Sequence, residues 1–206
     1  FVFAAAVMTF PKGTIHVAVV DPGVGSRRKA IAVKTPNFIF LGPDNGLLSL
    51  AVQRESSTEI RALENERLFR HPVSHTFHGR DLFAPVAAHL ARGVKFSKLG
   101  PRLGSMRTIQ VTEPVKTSKG VRGEIIYVDH FGNLITNVPA KSLPRDITIS
   151  LGRYRVRGLS ATYSQAKPGK LVAVANSLGL LEIGLRDGSA SKAMRCRVGT
   201  LVLIEA

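Results

Sequence analysis

Two domains of different class are what this sequence predicts, an α/β domain over residues 1–104 and an all-β, barrel-like domain over residues 105–206. Three observations predict them. The first half mixes β-branched runs with one helix-period segment, and the second half repeats short apolar runs bounded by turn residues. Between the halves, Gly100-Pro101 and Gly104 interrupt the periodicity. The length permits this division, since 206 residues can bury one large core or two modest ones.

Residues 1–10 are almost wholly apolar and are closed by Pro11-Lys12-Gly13. The run is too short to span a bilayer, no basic segment precedes it and no small-residue cleavage site clearly follows, so neither a membrane anchor nor a signal peptide is expected. It reads as the buried end of a helix whose beginning lies outside this chain, which makes the α/β domain N-terminally truncated. Strands are expected over residues 14–20, 30–33 and 37–41, the first ending at Asp21-Pro22-Gly23 and the third at Pro43-Asp44-Asn45-Gly46. A helix beginning near Asp81 places Leu82, Phe83, Val86, Ala87 and Leu90 on one face, with Arg92 in its last turn and Gly93 as its stop. Pro85 constrains its early part. Residues 98–105 read as the domain connection. Beyond it, strand-like runs recur at 108–111, 124–128, 147–151, 171–175, 180–183 and 200–204, a spacing that favours a small barrel or sandwich.

The net charge of +15 suggests nucleic acid, because basic surfaces gain affinity by releasing counterions from phosphates. Its distribution opposes that partner. Residues 1–104 hold 14 Lys and Arg against 7 Asp and Glu, and residues 105–206 hold 15 against 7, with no basic tail and no stripe of interleaved aromatics. A solvated basic surface accounts for the excess. The single Cys196 can form no internal disulfide and belongs to no Cys cluster, which fits a reducing, cytoplasmic setting.

Residues able to do chemistry gather in three segments: Asp21-Pro22-Gly23-Val24-Gly25-Ser26-Arg27-Arg28, Phe77-His78-Gly79-Arg80-Asp81 and Asp129-His130-Phe131-Gly132-Asn133. Each stands where an apolar run stops, where turns present polar side chains from a rigid base. Gly23 and Gly25 do not make a dinucleotide fingerprint, because Ser26-Arg27-Arg28-Lys29 leads into a strand-like run rather than a helix and the third glycine is missing. A glycine-shaped hairpin turn with exposed charges is the alternative reading. His71, His75 and His78 are close in sequence, but Pro72 and the β-favouring Val73, Thr76 and Phe77 oppose a helix that would align them, and no nearby carboxylate completes a set. No metal site is expected there.

Together these segments resemble the S-adenosyl-L-methionine hydroxide adenosyltransferases, also called adenosine-forming S-adenosyl-L-methionine hydrolases, which are related to fluorinases and chlorinases. The likeness rests on five motifs in order: Val20-Asp21-Pro22-Gly23-Val24-Gly25 with Arg28, Pro43-Asp44-Asn45-Gly46, Thr76-Phe77-His78-Gly79-Arg80-Asp81, Asp129 with Phe131-Gly132-Asn133, and Asn176-Ser177 with Gly179.

The resemblance implies an α/β N-terminal domain, a β-barrel C-terminal domain and a homotrimer with sites between neighbouring subunits. It implies that Asp21, Arg28 and His78 handle the nucleophile, that Phe131 and Asn133 enclose and hydrogen-bond adenine, and that Asp129 and Ser177 lie near the methionine moiety. The implied reaction is hydrolysis of S-adenosyl-L-methionine to adenosine and L-methionine, with no cofactor. Halide-using adenosyl transfer is the nearest alternative, opposed by Arg28 and by Gly79, where fluorinases carry Ser. A noncatalytic adenosine or S-adenosyl-L-methionine sensor is another. Relatives also carry a Thr-Asp-Phe-Gly-like segment that grips the ribose, and nothing here matches it, so roughly the first forty residues of the family domain are expected to be missing. Leu178 stands where some halogenating relatives have an Arg for the methionine carboxylate, which leaves that contact to Arg186 or to backbone groups.

Overall fold

The structure, a computed structural model, describes residues 1–56 and 58–205. They form two compact units, Phe1–Gln110 and Val111–Ala206.

The first unit is built on a five-stranded mixed sheet: β1 (Ile15–Val17), β2 (Ala30–Lys34), β3 (Ile39–Pro43), β4 (Glu59–Ala62) and β5 (Arg102–Leu103). Their spatial order is β1-β3-β2-β4-β5, parallel only between β1 and β3, where Ile15 stands opposite Ile39. Both faces of the sheet are covered, which explains why β2 and β3 read as continuous apolar runs. Ile31, Val33 and Phe40 pack on one side with α1 (Val2–Val7) and α2 (Ser49–Val52). Ala32 and Leu41 pack on the other with α3 (Ala84–Ala91). Ile31, Phe40, Leu41 and Phe83 are fully buried, and each such side chain contributes about 1.5–3 kcal/mol by leaving water.

Three expectations for this unit are corrected. The strand over 14–20 is shorter: Ala18 N still donates to the Leu41 carbonyl at 2.9 Å, but Val19 and Val20 turn out to solvent. The expected connection at 98–105 lies inside the unit, since Leu99 is buried and Arg102 and Leu103 pair with β4, so the unit runs on past 104 to Gln110. Residues 108–111 form no strand; Ile109 N donates to Ser49 Oγ instead.

The helix begins earlier than Asp81, with a widened π-type turn over Gly79–Phe83 that runs into α3. Pro85 lies in the first turn of α3 and has no N–H to give the Asp81 carbonyl. Arg70 N takes that carbonyl at 2.8 Å. At the other end Gly93 adopts φ +93° and Val94 N reaches back to the His89 carbonyl, closing the helix as the sequence predicts.

The second unit is antiparallel throughout its main sheet. It comprises β6 (Val115–Thr117), β7 (Gly120–Val128), β8 (Leu134–Pro139), β9 (Thr148–Leu151), β10 (Tyr154–Arg157), β11 (Leu171–Ala175), β12 (Leu180–Leu185), α4 (Ala190–Met194) and β13 (Leu201–Glu205). The order is β10-β9-β13-β7-β8-β12-β11, with β6 added on β7. Bulges in the β7–β8 and β8–β12 pairings bend the sheet, which nearly closes into a barrel. Ile125, Leu134, Ile149, Leu181, Ile183 and Val202 fill its interior. β8 was hidden in the sequence by its polar residues. Both are satisfied in the structure: Thr136 Oγ1 donates to the Leu181 carbonyl at 2.8 Å, and Asn137 Oδ1 accepts from Glu124 N at 2.9 Å.

Among the described residues no helix is long and apolar enough to cross a membrane.

Candidate active site

In the first unit, the chain that leaves β1 supplies Asp21. Asn45 Nδ2 donates to the Val20 carbonyl at 2.8 Å, fixing the exit, and Val24 N donates to the Asp21 carbonyl at 3.1 Å, starting a turn. Gly25 completes it at φ +77°, where a Cβ would stand 3.0 Å from the His75 carbonyl oxygen. The turn can therefore lie against the segment leading to His78 only with glycine at this position. Asp44 braces the same region by accepting from Arg107 N at 2.7 Å.

The turn returns Arg28 beside Asp21. Arg28 Nε donates to Asp21 Oδ1 at 3.0 Å and Nη2 donates to Oδ2, a bidentate pair whose side chains are 9% and 5% exposed. Nη2 also lies 2.8 Å from His78 Nδ1. Beneath them, the buried Phe83 ring has its centroid 5.7 Å from the guanidinium carbon. Two charges taken from water this far are held only because their hydrogen bonds offset the desolvation, so losing one partner leaves the other uncompensated.

The contact fixes the state of His78. A guanidinium only donates, so Nδ1 receives it as a lone pair and the ring proton sits on Nε2. Burial first, and the Arg28 charge second, hold the imidazole pKa below its ordinary 6.5, with Asp21 and Asp81 opposing. His78 is neutral at pH 7. Three residues on, the buried Asp81 carboxylate accepts from Ser74 N at 3.0 Å and from Arg80 Nε and Nη2 at 2.7 and 2.9 Å. These bonds hold the Asp81 carboxyl well below the usual carboxylate range.

The three histidines do not converge. His71 Nε2 contacts the Glu66 carbonyl at 2.8 Å, His75 is exposed, and His78 is engaged by Arg28. Among the described residues no three His, Cys, Asp or Glu side chains form a group able to hold a metal.

In the second unit a cavity of about 420 Å³ is lined by Asp129, Phe131, Asn133, Tyr163, Ser177 and Glu182, among others. Asp129 Oδ1 accepts from Asn133 N at 2.8 Å and Oδ2 from Asn133 Nδ2 at 2.9 Å. This clamp orients the Asn133 amide, leaving its Oδ1 to act as an acceptor. Phe131 is 74% exposed and presents its ring to solvent. Ser177 is exposed on the β11–β12 turn, which Asn176 braces by accepting from Leu178 N and Leu180 N. Arg186 is committed elsewhere: its Nη1 donates to the Ser164 and Ala166 carbonyls.

Both halves of this arrangement match models of one family. The SAM hydroxide adenosyltransferase N-terminal domain matches residues 1–100 and the C-terminal domain matches residues 123–203. A protein of Salinispora arenicola named (R)-S-adenosyl-L-methionine hydrolase is 35% identical over 98% of this chain and 78% of its own length.

The chain belongs to the SAM hydroxide adenosyltransferase family.

A Thermus thermophilus protein of the same name is 36% identical over 92% of this chain and 74% of its own. A solved structure of an uncharacterized conserved protein from Thermotoga maritima superposes with a TM-score of 0.86 at 37% identity, covering 98% of this chain and 81% of that one. A fluorinase of Actinopolyspora mzabensis is more distant, at 25% identity over 65% of this chain.

Several residues of these two clusters carry no motif signal. Phe83 resembles an ordinary core position on its helix. Tyr163 sits in a loop, and Glu182 interrupts an apolar strand, Leu180–Leu185, yet the Tyr163 hydroxyl donates to Glu182 Oε1. Burial and Glu182 push the Tyr163 phenol well above its ordinary pKa. The only hint was the lone acid within the Leu-Leu-Glu-Ile-Gly run.

Proposed function

We propose that this chain hydrolyses S-adenosyl-L-methionine to adenosine and L-methionine, with water attacking C5'. The observation that carries the reading is the hydrogen-bonded set of Asp21, Arg28 and His78 in a member of this family. The oxygen–C5' bond forms as the C5'–sulfur bond breaks, the electron pair leaves with sulfur as a neutral thioether, and one proton is released. A sulfonium is already a good leaving group, so the reaction calls for alignment and a more basic oxygen rather than a metal, a cofactor or a covalent intermediate.

Arg28 supplies positive charge that favours hydroxide character in the attacking water. The Nε2–H of neutral His78 is a donor suited to fixing that oxygen. Each Asp21 oxygen retains a lone pair beyond the one given to Arg28, which makes Asp21 the proton acceptor within the set. Adenine would lie against Phe131 and accept or donate at the Asn133 amide. Asp129 and Ser177 would border the methionine half. The relatives' names specify the R epimer at sulfur, and the same epimer is proposed here.

The protein is further proposed to be a cytoplasmic homotrimer whose sites are shared by neighbouring subunits, as the family resemblance implies. Light scattering tests this, and an active monomer would overturn it. The reaction is tested by incubation with S-adenosyl-L-methionine in ¹⁸O-labelled water containing chloride and a chelator. Adenosine labelled at the 5'-oxygen is the expected product. A 5'-halogenated nucleoside, or activity that disappears with chelation and returns with zinc, would defeat the proposal.

A further inference from the structure

The barrel of the second unit has a seam. β10 and β11 stand at opposite ends of the strand order, and among the described residues a single bridge joins their segments, from Ser160 past the end of β10 to Val174 of β11. There Ser160 N donates to the Ala173 carbonyl at 2.8 Å. Along the rest of the seam lies a cavity of about 600 Å³, and none of its lining residues lines the cavity around Asn133. Its floor is core: Val156, Ala173 and Met194 belong to the barrel interior, with Leu171 and Leu185 packed against them. Tyr154 closes one end, its hydroxyl donating to the Ala193 carbonyl of α4 at 3.1 Å.

The lips of the seam have the opposite character. Val156 faces the core, so alternation turns Arg155 and Arg157 outward, and both are exposed, as is Lys170 just before β11. Among the described residues none of the three is in an ion pair. The lips also carry backbone donors. Gly158 N donates to the Ile147 carbonyl at 2.7 Å, which fixes the phase of the β9–β10 ladder: Tyr154 and Val156 bond to β9, and Arg155 and Arg157 aim their N–H groups at the seam.

Arginines on an edge strand also keep other strands away, so the charge alone does not call for a ligand. What the charge surrounds decides. Cations and N–H donors rim a cavity with an apolar floor, an arrangement that receives an acidic head and buries a hydrocarbon tail. An extended peptide fits less well: a strand lying between β10 and β11 would hold them roughly 9–10 Å apart, whereas their Cα atoms approach within 8 Å. A single alkyl chain is slimmer than a strand. We propose that the seam binds a single-chain anionic amphiphile, a free fatty acid, with its carboxylate at Arg157 and Lys170 and its tail along Val156, Leu171 and Met194. The proposal stands apart from the hydrolase reading and uses none of the residues assigned to that reaction.

Calorimetry with octanoate, decanoate and dodecanoate, each below its micelle concentration, tests the proposal. Each added methylene that reaches the floor should tighten binding about four-fold. Dodecanol, which has the tail without the charge, should bind more weakly than dodecanoate. Arg157→Gln combined with Lys170→Gln should cost dodecanoate about ten-fold, the scale of two exposed ion pairs, and change dodecanol affinity by less than about two-fold. Ala193→Phe, which adds bulk at an exposed position of α4 that lines the cavity, should weaken both ligands. The charge variants alter only exposed side chains, so they keep the test decisive if Ala193→Phe does not fold.

A wild-type protein that does not bind dodecanoate overturns the proposal. Affinity that ignores chain length, or that is equal for dodecanol and dodecanoate, removes the tail or the head from the seam and overturns it as well. Unchanged dodecanoate affinity in the double variant places the ligand elsewhere, with the same result. Retention of the protein on phosphatidylglycerol vesicles without binding of monomeric dodecanoate would make the cationic lips a membrane contact instead.

Discussion

The polar cluster around Arg28 and the one around Asn133 are built from similar parts and organised in opposite ways. Around Arg28, acceptors converge on one guanidinium: both Asp21 oxygens and His78 Nδ1, with Phe83 beneath. Around Asn133, a carboxylate is spent on orienting an amide, and the outward groups are an amide oxygen, an exposed ring and one oxygen of Glu182. The first cluster is closed on itself and sets charge at a point. The second keeps its outward valences for a ligand. Rate should therefore depend on the first and affinity on the second.

The sharpest way to break this contrast is Arg28→Lys, which keeps the charge but loses the planar fork that joins Asp21 to His78. Single-turnover rates are expected to fall roughly 100- to 1000-fold, the cost of removing a preorganised donor from a charge-stabilising site. Adenosine affinity measured by calorimetry should barely change. Near-normal turnover would reduce Arg28 to a turn residue.

Asn133→Ala should reverse the pattern. Losing the proposed hydrogen bond to adenine and leaving Asp129 without its partner is expected to weaken adenosine binding by about ten-fold. Turnover at saturating substrate should change little, because substrate and transition state lose the same contact. A large fall in the single-turnover rate with unchanged affinity would erase the division between the clusters.

The smallest effect near neutrality is the response to pH. His78 has its pKa lowered in the folded protein, so its contribution to stability is fully present above the unfolded value near 6.5 and is lost as pH falls through the folded value. A proton on Nδ1 would also displace the Arg28 donor. Turnover should accordingly hold steady from pH 8 to 6.5 and decline on further acidification, while adenosine affinity follows it only weakly. A rate that rises below pH 6 would mean the imidazolium is the working form.

The two clusters were not equally legible in the sequence. Asp21 ends an apolar run, Arg28 stands just before the next one and His78 precedes a helix, so their candidacy could be read locally. Their mutual contact could not, since 50 residues separate Arg28 from His78 and a parallel pairing of β1 with β3 intervenes. The Asp129–Asn133 clamp is local, only four residues apart, and its motif was visible. Tyr163 and Glu182 were not, because their meeting depends on Gly184 lying between them on a strand face. Among the elements, five of the six runs expected beyond residue 105 located strands of the barrel, but the run at 108–111 forms none and β6, β8 and β10 were missed. Thr136, Asn137 and Pro139 interrupt the apolar pattern of β8. Arg155 and Arg157 gave β10 the character of a solvated surface segment, although Tyr154 and Val156 alternate inward. The domain connection was misplaced because Gly100 and Pro101 turn the chain within the first unit rather than out of it.

Asp81 closes two loops at once, its carbonyl taking the Arg70 amide and its carboxylate the Ser74 amide. Residues 70–77 contain neither helix nor strand and are largely exposed. Ordinarily such a stretch trades its amide hydrogens with solvent almost freely, whereas these two are tied to the buried start of a helix. Deuterium uptake along it should thus be uneven, with the Arg70 and Ser74 amides exchanging slowly beside rapid neighbours such as His75. The irregular segment that delivers His78 behaves, on that timescale, as an extension of the core.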